Sequence, residues 1–408
     1  MKKISFSIEE LLKKIPTPFY VYDQNGIMGS VKKLQKAFSW VDFKEFFAVK
    51  ALPNPYILKL LKDNGCGTDC SSLAELYLSD MVGLENEDIL FTSNNTPLEE
   101  YQKAYELGAI INFDDIGHIP EFIEKIGIPK IASIRYTPEK AYGSGIIGNP
   151  LESKFGMPFE KLIEGYQMFK DAGIKRYGIH AMIISNTLDI DIITKNTETI
   201  FKAVRKISKK LSIEFEFIDI GGGFGIPYRP EEKELDIYLL GKNIKELYEY
   251  YFVDFKPKIF TENGRYITGP HGYLITKVLH IKESYKTYVG VDANMANLMR
   301  PGLYGPKNAY HHITVLGKEG KYKKYDIVGS LCENNDKFAV DRELPKIEKG
   351  DILIIHDVGA HGHSMGFNYN GKLRSAEFIY DGIGFKMIRR QETLKDYFST
   401  IEGGDIYV

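Results

Sequence analysis

Glu45-Phe46-Phe47-Ala48-Val49-Lys50-Ala51-Leu52-Pro53-Asn54 reads as an apolar strand that ends in a lysine. A strand buried on both faces rarely finishes in an ammonium group, because burying an unpaired charge is costly. Two readings compete on these residues alone. Either Lys50 reaches solvent where the strand stops, or something compensates its charge. A Schiff base to an aldehyde cofactor is the sharpest form of compensation.

Outward from that segment, short apolar runs alternate with longer amphipathic ones as far as residue 262. Strands are expected at 45–50, 68–70, 89–92, 109–112, 130–135, 177–182, 214–220 and 258–262. Helical patterns fall between most of them, among them 56–62, 72–81, 98–107, 159–172, 189–210 and 234–251. Eight β–α alternations over about 220 residues match an α/β fold of the (β/α)8 TIM-barrel type in number and length. A doubly wound sheet is the competing architecture. It usually has fewer strands and an early glycine fingerprint, which this chain lacks.

After Gly272 the texture changes to strands and turns, at 273–280, 286–291, 313–315, 325–329, 351–356, 377–380 and 384–389. A C-terminal β-barrel or sandwich domain is expected there, and an early strand at 19–22 can pair with it. The division is a barrel domain over 25–272 and a β domain over 1–24 and 273–408; a chain of 408 residues is too long for one ordinary core. A net charge of −2 gives no electrostatic reason to expect nucleic acid or an anionic membrane surface. Residues 1–14 alternate charge with Ile and Leu like an amphipathic helix. They lack the apolar core of a signal peptide, and no run of about 18 apolar residues occurs. Three cysteines, Cys66, Cys70 and Cys332, form no disulfide framework and point to a reducing compartment, so a cytoplasmic location is expected. Cys66 and Cys70 lack a second pair to complete a zinc site.

In a TIM barrel the reactive groups stand at the C-terminal ends of the strands. Lys50 ends the first expected strand, Asp69 the second, His180 to Ser185 follow the sixth, and Glu262 ends the eighth. Asp219-Ile220-Gly221-Gly222-Gly223-Phe224-Gly225 follows the seventh. Its glycines let backbone N–H groups approach an anion, and that loop is a usual phosphate site; a tight turn is the simpler reading. It does not fit G-x-G-x-x-G, because the last position falls on Ile226 or Tyr228, and a nicotinamide site is disfavoured. In Thr261-Glu262-Asn263-Gly264-Arg265 the carboxylate can hold a pyridinium nitrogen, and the guanidinium can grip a carboxylate or phosphate with two bonds. Farther on, Arg300 and Tyr304 offer a fixed cation and a phenol. Cys332-Glu333-Asn334-Asn335-Asp336 offers a thiol that can protonate carbon and carboxylates that can receive an ammonium group. His361 and His363 have the look of a metal pair, but no third ligand accompanies them and no metal is expected.

Together these segments resemble the fold type III pyridoxal-phosphate-dependent decarboxylases, and most closely the diaminopimelate decarboxylase branch. The resemblance spans nearly the whole chain in the family's order: F-A-V-K-A at Lys50, G-T-D-C-S-S at Asp69, S-K-F-G from Ser153, and G-G-G-F-G-I from Gly221. It continues through E-N-G-R from Glu262, R-P-G-L-Y from Arg300, C-E-N-N-D from Cys332 and H-D-V-G-A from His356. It implies an alanine-racemase-like barrel with pyridoxal 5'-phosphate as cofactor, carried covalently by Lys50 and paired through its pyridine nitrogen with Glu262. Asp69 and His180 would flank that cofactor. Its phosphate would rest on Gly222 and Gly223, on Ser185, and on the backbone of Asn263, Gly264 and Arg265. Arg265, Arg300, Tyr304, Glu333 and His361 would bind substrate, and Cys332 would return a proton to carbon.

The implied reaction converts meso-2,6-diaminoheptanedioate to L-lysine and CO2, the last step of lysine biosynthesis, in a homodimer whose Cys-Glu segment serves the partner subunit's site. Relatives acting on ornithine, arginine, lysine or carboxynorspermidine, and a non-catalytic homologue, are the alternatives. Three departures mark a divergent subgroup. The family's H-x-H-I-G-S is His180-Ala181-Met182-Ile183-Ile184-Ser185, which puts a thioether where a second histidine stacks on the cofactor. E-P-G-R is E-N-G-R, and the family's tyrosine after D-x-G-A, a donor to cofactor phosphate and substrate, is His361. Either His361 supplies that donor or Tyr369 does.

Overall fold

Strand β1 (Phe19–Asp23) precedes eight short strands: β2 (Phe43–Ala48), β3 (Gly67–Cys70), β4 (Ile89–Ser93), β5 (Ile110–Phe113), β6 (Ala132–Arg135), β7 (Tyr177–His180), β8 (Phe215–Asp219) and β9 (Lys258–Thr261). The eight close into a parallel barrel in chain order, with β9 pairing back onto β2. The computed structural model describes residue 4 and residues 6–143 and 150–402. Packing of large against small explains the closure. Phe46, Leu90, Ile110, Ile131, Phe217 and Phe260 form one buried cluster, in which the Phe217 and Phe260 rings stack 4.6 Å apart. Neighbouring strands leave room for these rings. A Cβ at Gly178 would stand 2.0 Å from the Phe217 ring, and one at Gly67 would stand 2.5 Å from that of Phe46. Removing one such ring costs about 3–5 kcal/mol.

The opening segment folds differently from its plain reading, and the difference matters. β2 stops at Ala48 rather than at 50, and a 3-10 turn covers Val49–Ala51. Val49 and Ala51 stay buried while the Lys50 side chain, 51% exposed, turns out onto the rim. No ammonium is therefore buried inside the strand. Pro55 then opens the helix Pro55–Lys62, with the Asn54 side chain accepting from Tyr56 N as its N-cap. β7 likewise ends at His180, so Met182 lies in the loop beyond it. The N-terminal helix expected over 1–14 is confined, among the described residues, to Glu9–Lys14.

The chain divides into two compact units, Met28–Ile226 with Lys233–Ile267, and Met1–Ile27 with Pro227–Glu232 and Thr268–Val408. The second unit adds β10 (Gly272–Glu283), β11 (Thr287–Val291), β12 (Ile313–Val315), β13 (Tyr322–Val328), β14 (Lys337–Pro345), β15 (Ile352–Ile355), β16 (Ala376–Tyr380) and β17 (Phe385–Arg389). With β1 they form a nine-stranded mixed sheet ordered β14-β13-β11-β10-β1-β16-β17, with β12 and β15 off that path. The sheet branches at β10, whose first half pairs with β1 and β15 and whose second half, past a bulge at Val278/His280, pairs with β11. Its core gathers Phe6, Ile8, Leu11, Phe19, Val21, Tyr273, Ile275, Ile354, Ala376 and Phe378. No helix among the described residues is long and apolar enough to cross a membrane.

Candidate active site

Five strand ends of the barrel unit carry a compact cluster of polar side chains. Asp69 lies in β3, His180 and Asp219 close β7 and β8, Glu262 follows β9, and all four are buried. Lys50 overlooks them from the turn after β2, its Nζ 3.9 Å from Asp69 Oδ2. His180 Nε2–H donates to Glu262 Oε2 at 2.9 Å. One His180 nitrogen and one carboxylate oxygen each from Asp219 and Glu262 all lie within 4.8 Å of one another.

Two buried carboxyls that face each other cannot both ionise cheaply. Here they split. Burial pushes the Asp219 carboxyl well above its usual range, and the neighbouring Glu262 charge pushes it the same way. Burial also opposes the charge on Glu262, but His180 and then Lys50 outweigh it and hold that carboxyl below the usual range. Of the two, Asp219 is the carboxyl that favours the proton and Glu262 the one that favours the charge. Asp69 follows Asp219, raised by burial and by Glu262, with Lys50 opposing.

The glycine loop after β8 is shaped by contact rather than by turn propensity alone. A Cβ at Gly222 would lie 2.1 Å from the Glu262 carbonyl oxygen, and one at Gly223, where φ is +87°, would lie 2.2 Å from that of Ile184. The loop is wedged between the segments that follow β7 and β9. Thr187 N donates to the Gly223 carbonyl at 3.0 Å and Gly225 N returns to the Thr187 carbonyl at 2.9 Å, two residues past Ser185. Gly222 N–H points at Met182 Sδ, 3.3 Å away. Asn263 ties the loop to the opposite side. Its Oδ1 accepts from Phe224 N at 3.3 Å, while its backbone N donates to Glu45 Oε1 at 2.6 Å and its Nδ2 to Glu45 Oε2 at 3.3 Å. Gly264 follows, buried, and Arg265 opens a short helical turn at partial exposure.

Pyridoxal phosphate fits this donor set. Glu262 Oε1, Asp69 Oδ1 and His180 Nδ1 are buried without a hydrogen-bond partner in the protein, and a leftover buried acceptor of that kind suits a ring nitrogen that bears a proton. The glycine cradle admits no side chain, and a primary amine stands on the same rim.

The second unit places the other expected residues. Arg300, 5% exposed, and Tyr304, 43% exposed, lie in the helical turn Arg300–Tyr304. Cys332 and Glu333 are exposed on a turn between β13 and β14. Asp336 holds that turn by accepting from Leu331 N at 2.8 Å and Met295 N at 2.7 Å, and Asn335 Nδ2 donates to the Gly302 carbonyl at 3.0 Å, joining it to the Arg300 turn. Cys332 N donates to Asn370 Oδ1 at 2.8 Å, which seats the neighbour of Tyr369 beside the thiol segment. His361 is partly buried with φ +55°. His363 is no open metal ligand, since its Nε2–H donates to the Ser375 carbonyl at 3.0 Å and its Nδ1 accepts from Arg374 at 2.8 Å. Sequence reading missed Asp219 as a proton holder and Glu45 as the anchor of Asn263. Both sit in strands, where an acidic residue in an apolar run was the available signal.

A family profile described as "Pyridoxal-dependent decarboxylase, pyridoxal binding domain" matches residues 25–269. The chain is 42% identical to Protein TabA of Pseudomonas amygdali pv. tabaci over 97% of its length and 93% of that protein's. It is 37% identical to the diaminopimelate decarboxylase of Methanothermobacter thermautotrophicus, covering 95% of this chain and 92% of that one. The crystal structure of diaminopimelate decarboxylase from M. jannaschii in co-complex with L-lysine superposes with a TM-score of 0.91 at 31% identity, over 98% of this chain and 95% of that one.

Proposed function

The chain belongs to the pyridoxal-dependent decarboxylase family, and from that premise we propose that it decarboxylates meso-2,6-diaminoheptanedioate to L-lysine. Convergence of Lys50, Asp69, His180, Asp219 and Glu262 on one barrel rim beside the glycine cradle carries the reading. Full-length likeness to diaminopimelate decarboxylases supports the choice of substrate. When bound, the cofactor supplies a conjugated electron sink for the pair left as CO2 departs.

The chain's own residues do the rest. Lys50 would hold the cofactor through its amine, and Glu262, whose charge His180 favours, would pair with the ring nitrogen as an acceptor. Gly222, Gly223, Ser185, Asn263, Gly264 and Arg265 would take the phosphate. The Gly222 N–H would exchange a weak thioether acceptor for a phosphate oxygen. The substrate's far end is itself an amino acid, so it needs a cation and an anion; Arg300 and Glu333 answer these, with Arg265, Tyr304 and His361 or Tyr369 supporting. Cys332 Sγ would deliver the proton that takes the place of the departing CO2 on carbon.

We infer a homodimer as well, because Cys332, Glu333, Tyr304 and Tyr369 are all exposed on the isolated chain. Light scattering should return twice the chain mass; a monomer at working concentration contradicts this. A second reading, the same chemistry on another amino acid, is favoured by Met182, Asn263 and His361, the three departures from the family pattern. Assaying CO2 release from diaminopimelate, lysine, ornithine, arginine and carboxynorspermidine separates the two. Turnover confined to diaminopimelate supports the first reading, and preference for any other substrate replaces it.

A further inference from the structure

Arg300 is held by side chains to which no sequence motif pointed. Its Nη1 donates to Tyr228 Oη at 3.0 Å and to His311 Nε2 at 3.2 Å. The guanidinium carbon lies 5.1 Å from the centre of the Tyr228 ring, and Tyr228 and His311 meet edge to face at 5.1 Å. His311 is fully buried, and its Nδ1 lies 2.9 Å from the His356 carbonyl oxygen. A carbonyl can only accept and an arginine can only donate. One state of the imidazole satisfies both neighbours: neutral, with its proton on Nδ1.

His311 is itself fixed from behind. Its carbonyl accepts from Arg342 Nη1 at 2.8 Å, and the Arg342 guanidinium stacks 3.8 Å from the centre of the adjacent Tyr310 ring. Arg229 covers the same ring at 4.6 Å. The segment just before β12, braced by Arg342 of β14 and by Arg229, thus delivers a rigid, uncharged acceptor to the Arg300 guanidinium.

We propose that His311 is a positioning residue for substrate selection: with Tyr228 it sets the guanidinium plane of Arg300, and so sets the preference for amino acids that carry a distal carboxylate. The proposal rests on the reading of Arg300 as the group that takes that carboxylate. Two-pronged recognition of a carboxylate depends on the plane of the guanidinium as well as on its charge. A neutral imidazole fixes the plane without cancelling charge at that contact, as a carboxylate there would. A tilted guanidinium binds the distal carboxylate less well in ground and transition state alike, so the loss is read in KM and not in kcat.

The test uses cofactor-loaded His311→Ala, His311→Gln and Tyr228→Phe, with Arg300→Ala as the reference. L-Lysine keeps the distal carboxylate and cadaverine lacks it, so their inhibition constants report on that site alone. His311→Ala should raise the diaminopimelate KM and the L-lysine inhibition constant by about 10-fold, the loss of one hydrogen bond to a charged group. Cadaverine inhibition, kcat and the visible spectrum of the bound cofactor should stay unchanged. His311→Gln, whose amide oxygen can accept from Arg300, should recover most of the loss. Tyr228→Phe should move in the same direction by less, and it carries the test should His311→Ala fail to fold. The proposal is overturned by equal shifts for L-lysine and cadaverine, or by none for either. An Arg300→Ala enzyme that keeps the ratio of the two inhibition constants removes the reading of Arg300 itself. If that ratio collapses in Arg300→Ala but holds in the His311 and Tyr228 variants, only the role of His311 falls.

Discussion

Asp219 and Glu262 show how one proton sets the electrostatics of the barrel rim. Asp219 is fully buried, takes the Gly221 N–H at 2.8 Å, and faces Glu262, which is bonded to His180. With the proton on Asp219, an amide is its near-isosteric equivalent. Asp219→Asn should therefore leave the absorption maximum of the bound cofactor and its affinity close to wild type. Glu262→Gln deletes a charge and should weaken cofactor binding by about 10- to 100-fold, the worth of one charge-assisted bond, with a shifted spectrum. Absorption titration of both variants decides; a spectrum for Asp219→Asn that moves as far as that of Glu262→Gln contradicts the proton assignment. Lys50, Asp69, His180 and Glu262 were legible in the sequence because strand-end positions of a barrel read as chemistry. Asp219 was not, since a protonated acid inside an apolar strand looks like an ordinary interruption.

At the scale of elements, the turn after β9 and the start of β2 form one unit through Asn263 and Glu45. Burial raises the Glu45 carboxyl well above its usual range, and the bonds from Thr261 and Asn263 oppose that shift. Proline at 263 would delete both the N–H that reaches Glu45 Oε1 and the amide that reaches Oε2 and Phe224. Leaving buried polar groups unsatisfied costs about 1–3 kcal/mol each, so Asn263→Pro should destabilise the protein by about 2–5 kcal/mol. Denaturant unfolding measures it, and an unchanged midpoint would show that these bonds carry no weight. The sequence gives no sign of this pairing, because it joins positions at opposite ends of the barrel sequence. The same limit hid β14. Its burial does not alternate, since Phe338 and Ala339 are both buried, and at Asp341 φ is +50° and the register of pairing with β13 shifts at Tyr325/Ile327. Charged Asp341-Arg342-Glu343 within a strand reads as loop until the sheet is seen.

Across the whole molecule, a buried ionic network ties β1, β16 and β17 to the segment that carries His361. Glu377 accepts from Tyr22 Oη at 2.6 Å and pairs with Arg389, and His363 Nδ1 lies 3.8 Å from Glu377 Oε2. Burial lowers the His363 pKa from 6.5 to about 4, with Glu377 opposing and Arg374 and Arg389 adding to the shift. An unfolded histidine takes its proton near pH ~6.5, whereas the folded one waits until about pH 4. In that window the unfolded state binds more protons, so stability falls as pH drops. Between about pH 7 and pH 5 the wild type should lose about 2 kcal/mol more than His363→Gln in urea unfolding, and parallel pH slopes would exclude this coupling. The (β/α)8 barrel and the β-rich second unit were readable from periodicity alone, while the branching of the sheet at β10 was not, because one strand supplies two edges. The proposed chemistry depends above all on Lys50 as the point of cofactor attachment. Loading the protein with pyridoxal phosphate, reducing with borohydride and mapping peptides should find the phosphopyridoxyl group on Lys50; a label on another lysine, or none, contradicts it.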